Sequence, residues 1–140
     1  MSAEANIAIV KTVIDEFNRG NIDFLDEVCS ANYIFHGPTN PDWNITEIKE
    51  AILMVYTAFP DWKITLEDIF ATEDKAAYRI SIQGTQLGEL FGAPPTGKHM
   101  VWTALLIDHF AEGKVVAEWE WTDFLGLQQQ LGLIPEAAGA

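Results

Sequence analysis

Apolar residues recur every three or four positions through residues 4–19, where Ile7, Val10, Ile14 and Phe17 form a stripe that Val13 widens. This spacing predicts an amphipathic helix, and Gly20 stands where a left-handed residue would end it. Residues 22–29 repeat the pattern briefly, with Asp23 placed to suit the helix dipole, and predict a second, short helix. Tyr33, Ile34 and Phe35 predict a short extended piece, which His36-Gly37-Pro38-Thr39-Asn40-Pro41 interrupts with a loop. Thr46 can cap a third helix with Ile48, Ile52, Val55 and Phe59 on one face, and Pro60 stops it.

From Trp62 onward the apolar period switches from helical to the alternation of a strand. Residues 64–69 and 76–83 predict two strands around a turn at Thr72-Glu73-Asp74-Lys75. Residues 84–97 form a long connection containing Gly and Pro. Residues 98–110 and 115–123 then predict two long strands joined by Ala111-Glu112-Gly113-Lys114, a hairpin with a glycine in its loop. Residues 124–131 predict a short helical tail. Helices first and meandering strands afterwards imply one α+β domain over residues 1–140. Its curved, mostly antiparallel sheet wraps around the N-terminal helices and leaves a hydrophobic pocket between sheet and helices.

Charge narrows the partners. Eight Lys and Arg against 21 Asp and Glu give a net charge of −13, which repels phosphate backbones and argues against nucleic acid. No stretch approaches the run of about 20 apolar residues that a membrane span needs. The first residues, Met1-Ser2-Ala3-Glu4-Ala5-Asn6, lack the basic and apolar regions of a secretory signal, so a cytoplasmic location and no membrane partner are expected. The single cysteine, Cys29, has no disulfide partner within the chain and lies in an apolar segment, where packing is its expected role. Five Trp and eight Phe are enough to line a pocket as well as to fill a core.

Candidate chemistry centres on residues 115–123. Alternation sets Trp119, Trp121 and Asp123 on one face of that strand and Glu118, Glu120 and Thr122 on the other. A carboxylate enclosed among indoles loses solvation, and its pKa rises toward the range of a general acid or base. Asp123 is equally suited to capping the helix that begins at Phe124, which would lower its pKa. Glu118 and Glu120 read as outward charges. His109 shares a mostly apolar strand face with Val101, Thr103, Leu105 and Ile107, and His36 ends a strand before Gly37-Pro38. His99 reads as exposed, and Arg79 as part of a solvated or interface face. The three histidines lack the spacing of a shared metal site, so no metal is expected. Phe17, Tyr33, Phe59, Trp62, Phe91, Trp102, Trp119 and Trp121 are candidate pocket walls. The loop Phe91-Gly92-Ala93-Pro94-Pro95 is placed to close the mouth.

Four segments in order, Ala58-Phe59-Pro60-Asp61-Trp62, Phe91-Gly92-Ala93-Pro94-Pro95-Thr96-Gly97-Lys98, Glu112-Gly113-Lys114-Val115 and Glu118-Trp119 followed by Asp123, resemble the SnoaL-like polyketide cyclase family. The resemblance implies the α+β cone fold shared with nuclear transport factor, ketosteroid isomerase and scytalone dehydratase. It implies a cofactor-free enzyme in which an aspartate, matching Asp123, serves as acid/base in aldol ring closure of a polyketide ester. His109 matches a histidine fourteen residues earlier, and His36 a polar position facing the cavity. The resemblance also implies a homo-oligomer, dimer or tetramer, formed through the convex sheet face. The expected ligand is a small hydrophobic carbonyl compound. Isomerase, dehydratase or epoxide hydrolase chemistry in the same cavity is one alternative, and a non-catalytic binding or oligomerisation domain is another.

Overall fold

The computed structural model describes residues 2–39 and 41–135. Helix α1 (Ala3–Asn18) begins at Ser2, whose hydroxyl accepts from the Ala5 amide, and buries Asn6, Val10 and Ile14 at helical spacing. A 3-10 turn (Ile22–Phe24) and a single-turn helix α2 (Leu25–Val28) follow, where the sequence predicts one short helix. Strand β1 (Cys29–His36) is longer than the three residues its apolar pattern predicts. It is extended because it pairs in parallel with β5 (Lys114–Thr122), Ile34 opposite Ala117 and His36 opposite Trp119. The ladder supplies hydrogen bonds that the weakly patterned Ser30-Ala31-Asn32 does not advertise.

Helix α3 (Ile45–Ala58) is capped by Asn44 rather than by the expected Thr46. Asn44 Oδ1 accepts from the Glu47 amide at 2.9 Å, and the Glu47 carboxylate accepts from the Asn44 amide at 3.1 Å. This reciprocal box places Thr46 inside the first turn. Lys49 reaches back from α3 to Asp23 and Asp26 at 2.9 and 2.7 Å, tying it to the turn and α2.

Strands β2 (Lys63–Ala71), β3 (Lys75–Thr85) and β4 (His99–Ala111) complete a curved, unclosed sheet of order β1-β5-β4-β3-β2, antiparallel except at β1–β5. Register shifts interrupt the β1–β5, β2–β3 and β4–β5 ladders, and such bulges sharpen a sheet's local bend. The concave face carries Ile80, Ile82, Met100, Trp102, Ala104 and Leu106 into the core beneath α1 and α3. Helix α4 (Phe124–Leu131) covers one end. None of the described helices is long and apolar enough to cross a membrane.

Two asparagines fasten α1 over the edge strand β2. Asn6 Nδ2 donates to the carbonyls of Thr72 and Glu73 in the β2–β3 turn. Asn18 pairs twice with the Ile64 backbone, donating to its carbonyl at 2.9 Å and accepting from its amide at 2.7 Å. The second contact occupies backbone groups that an edge strand otherwise leaves open.

Gln86 does similar work for the long connection between β3 and β4. Its side chain, fully buried, donates to the Gly88 and Pro94 carbonyls and accepts from the Thr96 amide and hydroxyl. Gln86→Ala should therefore destabilise the fold by about 2–4 kcal/mol, because several buried polar groups lose their partner at once. Urea unfolding measures this, and an unchanged midpoint would show that other contacts order the connection.

Candidate active site

A cavity of 510 Å³ lies between the concave sheet face and helices α1, α3 and α4. Its walls are mostly apolar: Val13, Ile14 and Phe17 from α1, Ile48, Ile52 and Val55 from α3, and Ile80, Ile82, Trp102 and Leu106 from the sheet. Trp43 and Trp62 line it as well, while Gly37, Pro38, Thr39, Phe91, Phe124 and Gln128 contribute from the connecting loops and α4. Phe91 packs edge-on to Phe124, their ring centres 6.2 Å apart, and occupies a left-handed conformation (φ 52°) that a bulky residue rarely adopts. Among the described lining residues the groups that carry ionisable protons are Tyr78, Glu118 and Glu120, and no Lys, Arg or His faces the cavity.

The alternation predicted for β5 is present, with its faces assigned the other way round. Glu118, Glu120 and Thr122 line the cavity, while Trp119, Trp121 and Asp123 do not. The pairing with β4 fixes this, because Leu106 lies opposite Glu120 and Asp108 opposite Glu118, and both β4 residues are buried. Glu118 and Glu120, expected to be outward charges, are corrected by the same register.

Burial pushes the Glu120 carboxyl up to about 7, with the charge of Glu118 adding to the rise against the hydrogen bond from Thr122. The Thr122 hydroxyl donates to Glu120 Oε2 at 2.5 Å. An acid with its pKa near neutrality, in an apolar cavity, can both take and return a proton.

The residues expected to carry the chemistry lie elsewhere. Asp123 is exposed and is the N-cap of α4, with Oδ1 accepting from the Gly126 amide at 2.9 Å. A Cβ on residue 126 would stand 2.3 Å from Asp123 Oδ2, so Gly126 permits that close cap. Of the two roles open to Asp123, the geometry has the cap. His109 sits on the outer sheet face beside Trp119, ring centres 4.6 Å apart. His36 stacks on Trp119 at 4.4 Å and pairs with Asp42 at 2.8 Å, outside the cavity lining. Trp119 thus lies close to two histidines, and Trp121 is exposed. Of the expected walls, Phe17, Trp62, Phe91 and Trp102 do line the cavity. Phe59 is buried beneath it against Trp102, and Tyr33 lies behind Glu118, to which its hydroxyl donates at 2.9 Å. No group of three or more metal-binding side chains occurs among the described residues.

Sequence reasoning missed Glu120, Glu118, Tyr78 and Asp108. Parity groups Glu118 with Glu120 on β5, and Trp102 and Leu106 with Asp108 on β4, but the ladder pairing rather than the sequence joins the two sets. The β4 set belongs with Glu118 and Glu120 rather than with the tryptophans.

Comparison with known proteins agrees with this architecture. The family model for SnoaL-like polyketide cyclases matches residues 8–131. An aklanonic acid methyl ester cyclase of Streptomyces peucetius is 27% identical over 131 residues, spanning 90% of this chain and 90% of that protein. The aklanonic acid methyl ester cyclase of Streptomyces galilaeus is 24% identical over 137 residues, again covering 90% of each. Among solved structures, AclR of Streptomyces galilaeus superposes with a TM-score of 0.91 at 25% identity, covering 99% of this chain and 87% of AclR. TsrD of Streptomyces laurentii gives a TM-score of 0.84 at 25% identity, covering 96% of this chain and 99% of TsrD. The chain belongs to the SnoaL-like polyketide cyclase family.

Proposed function

We propose that the protein catalyses intramolecular aldol ring closure of a neutral, largely apolar polyketide ester, with Glu120 as the acid/base. The single observation that carries this reading is Glu120 itself, a carboxyl raised to about 7 in the wall of an apolar cavity. In its ionised form it removes the proton from a carbon flanked by carbonyls. The enolate carbon then attacks a second carbonyl carbon of the same molecule, forming the carbon–carbon bond, and the new alkoxide recovers the proton from Glu120. No atom is gained or lost, so the product is an isomer of the substrate. Charge in the enolate spreads over the substrate's own carbonyls, which is why a carboxylate suffices as the base. With two carboxyls and no cation among the described residues of the cavity wall, a neutral ester is favoured over a carboxylate, whose buried charge would find no partner there.

Aklanonic acid methyl ester, the compound in the relatives' names, is the first substrate to try. The expected product has the substrate's mass by mass spectrometry. Glu120→Gln should lower kcat/KM by about 10²-fold or more, whereas Asp123→Asn, which can still cap α4, should stay within a few-fold of wild type. Full turnover by Glu120→Gln would sink the assignment.

The titration of Glu120 has two consequences of opposite sign. Activity requires the ionised base, so kcat/KM should rise with pH through about 7 and then level off. Stability should run the other way. Between its ordinary value of 4.5 and about 7 the folded protein holds a proton on Glu120 that the unfolded chain releases, so unfolding becomes easier as pH rises. Urea midpoints at pH 5 and pH 8 should differ less in Glu120→Gln than in wild type.

We also propose a homodimer formed through the outer sheet face. Val101, Leu105, Ile107 and Trp121 expose 51%, 59%, 44% and 54% of their surfaces there, a large apolar area for a solvated face. Sedimentation should give a dimer at micromolar concentration, and Leu105→Asp should give a folded monomer. A wild-type monomer would remove the proposal.

A further inference from the structure

The inward stripe of α4 holds one residue that packing does not account for. Phe124, Leu127, Gln128 and Leu131 recur at helical spacing. Leu127 and Leu131 are buried, and Phe124, Leu127 and Gln128 line the cavity. An apolar side chain would suit position 128 as packing, yet the chain has glutamine at 128, 129 and 130. Two of these three are engaged. Gln129 Nε2 donates to the Pro135 carbonyl at 3.5 Å. Gln130 Nε2 donates to the Val101 carbonyl at 2.8 Å, and its Oε1 accepts from the Val101 amide at 3.1 Å. The side chain of Gln128, a half-buried residue, has no hydrogen bond to any of the described residues.

The neighbouring contacts fix where that amide stands. The Asp123 amide donates to the Thr103 carbonyl at 2.9 Å and Gln130 clamps Val101, so α4 is held to β4 on either side of Trp102. Trp102 lines the cavity from the same strand as Leu106, which lies opposite Glu120. At a strand rise of about 3.4 Å per residue, the level of Trp102 is about 13 Å along β4 from that of Leu106. Gln128 therefore serves the far end of the sheet wall from Glu120. Several other donors in the wall are already engaged. The Tyr78 hydroxyl stands 3.0 Å from Asp108 Oδ2, the Thr122 hydroxyl bonds Glu120, and the Trp62 indole donates to the Phe17 carbonyl at 2.9 Å. An amide beside an apolar cavity loses water when a ligand fills that cavity, and a ligand oxygen within reach offsets the loss.

We propose that Gln128 is a substrate-binding residue, its side-chain amide donating to a carbonyl oxygen of a neutral, largely apolar ligand at a point remote from the carbon that Glu120 deprotonates. This deepens the ring-closure reading and rests on it for the class of ligand. Equilibrium dialysis of fluorenone and fluorene, two rigid apolar tricycles that differ by one carbonyl oxygen, reads the contact without turnover. The wild type should bind fluorenone more tightly than fluorene. Gln128→Met, close in shape but without the donor, should weaken fluorenone about fivefold and leave fluorene within about twofold. The same loss should appear when both proteins also carry Glu120→Gln, which separates this contact from the base. Failure of fluorenone to bind, an undiminished affinity in Gln128→Met, or an equal loss for both probes would overturn the proposal. So would a clearly lower urea midpoint in Gln128→Met, which would make the amide part of the fold. With aklanonic acid methyl ester, Gln128→Met should raise KM and hold kcat, because a remote contact is made equally before and during the reaction. A fall in kcat at unchanged KM would overturn the remote placement. If Glu120→Gln keeps full turnover, the base assignment fails while the dialysis still decides the role of Gln128.

Discussion

Burying a carboxyl without a cation is expensive, and strands β4 and β5 bring three such groups together in one register: Asp108 opposite Glu118, with Glu120 next along the same face. The surroundings offset that cost with hydroxyls and protons rather than with counter-charges. Tyr33, Tyr78 and Thr122 donate to the carboxyls, and the elements carrying them must be held to within hydrogen-bonding distance of β4 and β5. Much of the remaining architecture serves that constraint. The parallel docking of β1 delivers Tyr33, the long β3–β4 ladder delivers Tyr78, and the asparagine contacts of α1 with β2 keep a helix over the apolar side of the cavity.

The periodic parts of this fold were legible in the sequence. Residues 4–19 and 46–59 carry one apolar stripe each, and helices formed there. The alternation through 98–110 and 115–123 marked two long strands, and the α4 boundaries emerged as read. Where the pattern was silent, the structure used interactions between distant residues. Ser30-Ala31-Asn32 became strand because β5 lies alongside, and Asn44 displaced Thr46 as a cap because Glu47 completes its box.

The site was harder to read, for a specific reason. Parity grouped Glu118 with Glu120 and Trp119 with Trp121, but it does not say which group points inward. Strand β4 is apolar on both faces, with Trp102 and Leu106 on one and Leu105 and Ile107 on the other, so it did not break the tie. Hydrophobicity favoured the tryptophans as the inner set. The protein instead turns two glutamates inward and leaves Trp121 exposed. Asp123, one residue beyond the strand, then served the helix that follows.

Strand β5 is hydrogen-bonded on both sides, by β1 and by β4, so the proposed base rides on backbone that has few ways to yield. Other parts of the lining are built differently, from Gly37-Pro38-Thr39, from Phe91 in its left-handed conformation and from the first turn of α4. The proposed base and these lining segments are therefore carried by separate parts of the chain. Substitutions in those segments can reshape the cavity while leaving the β5 backbone that carries Glu120 in place, so the range of ligands can change around an unaltered proposed base.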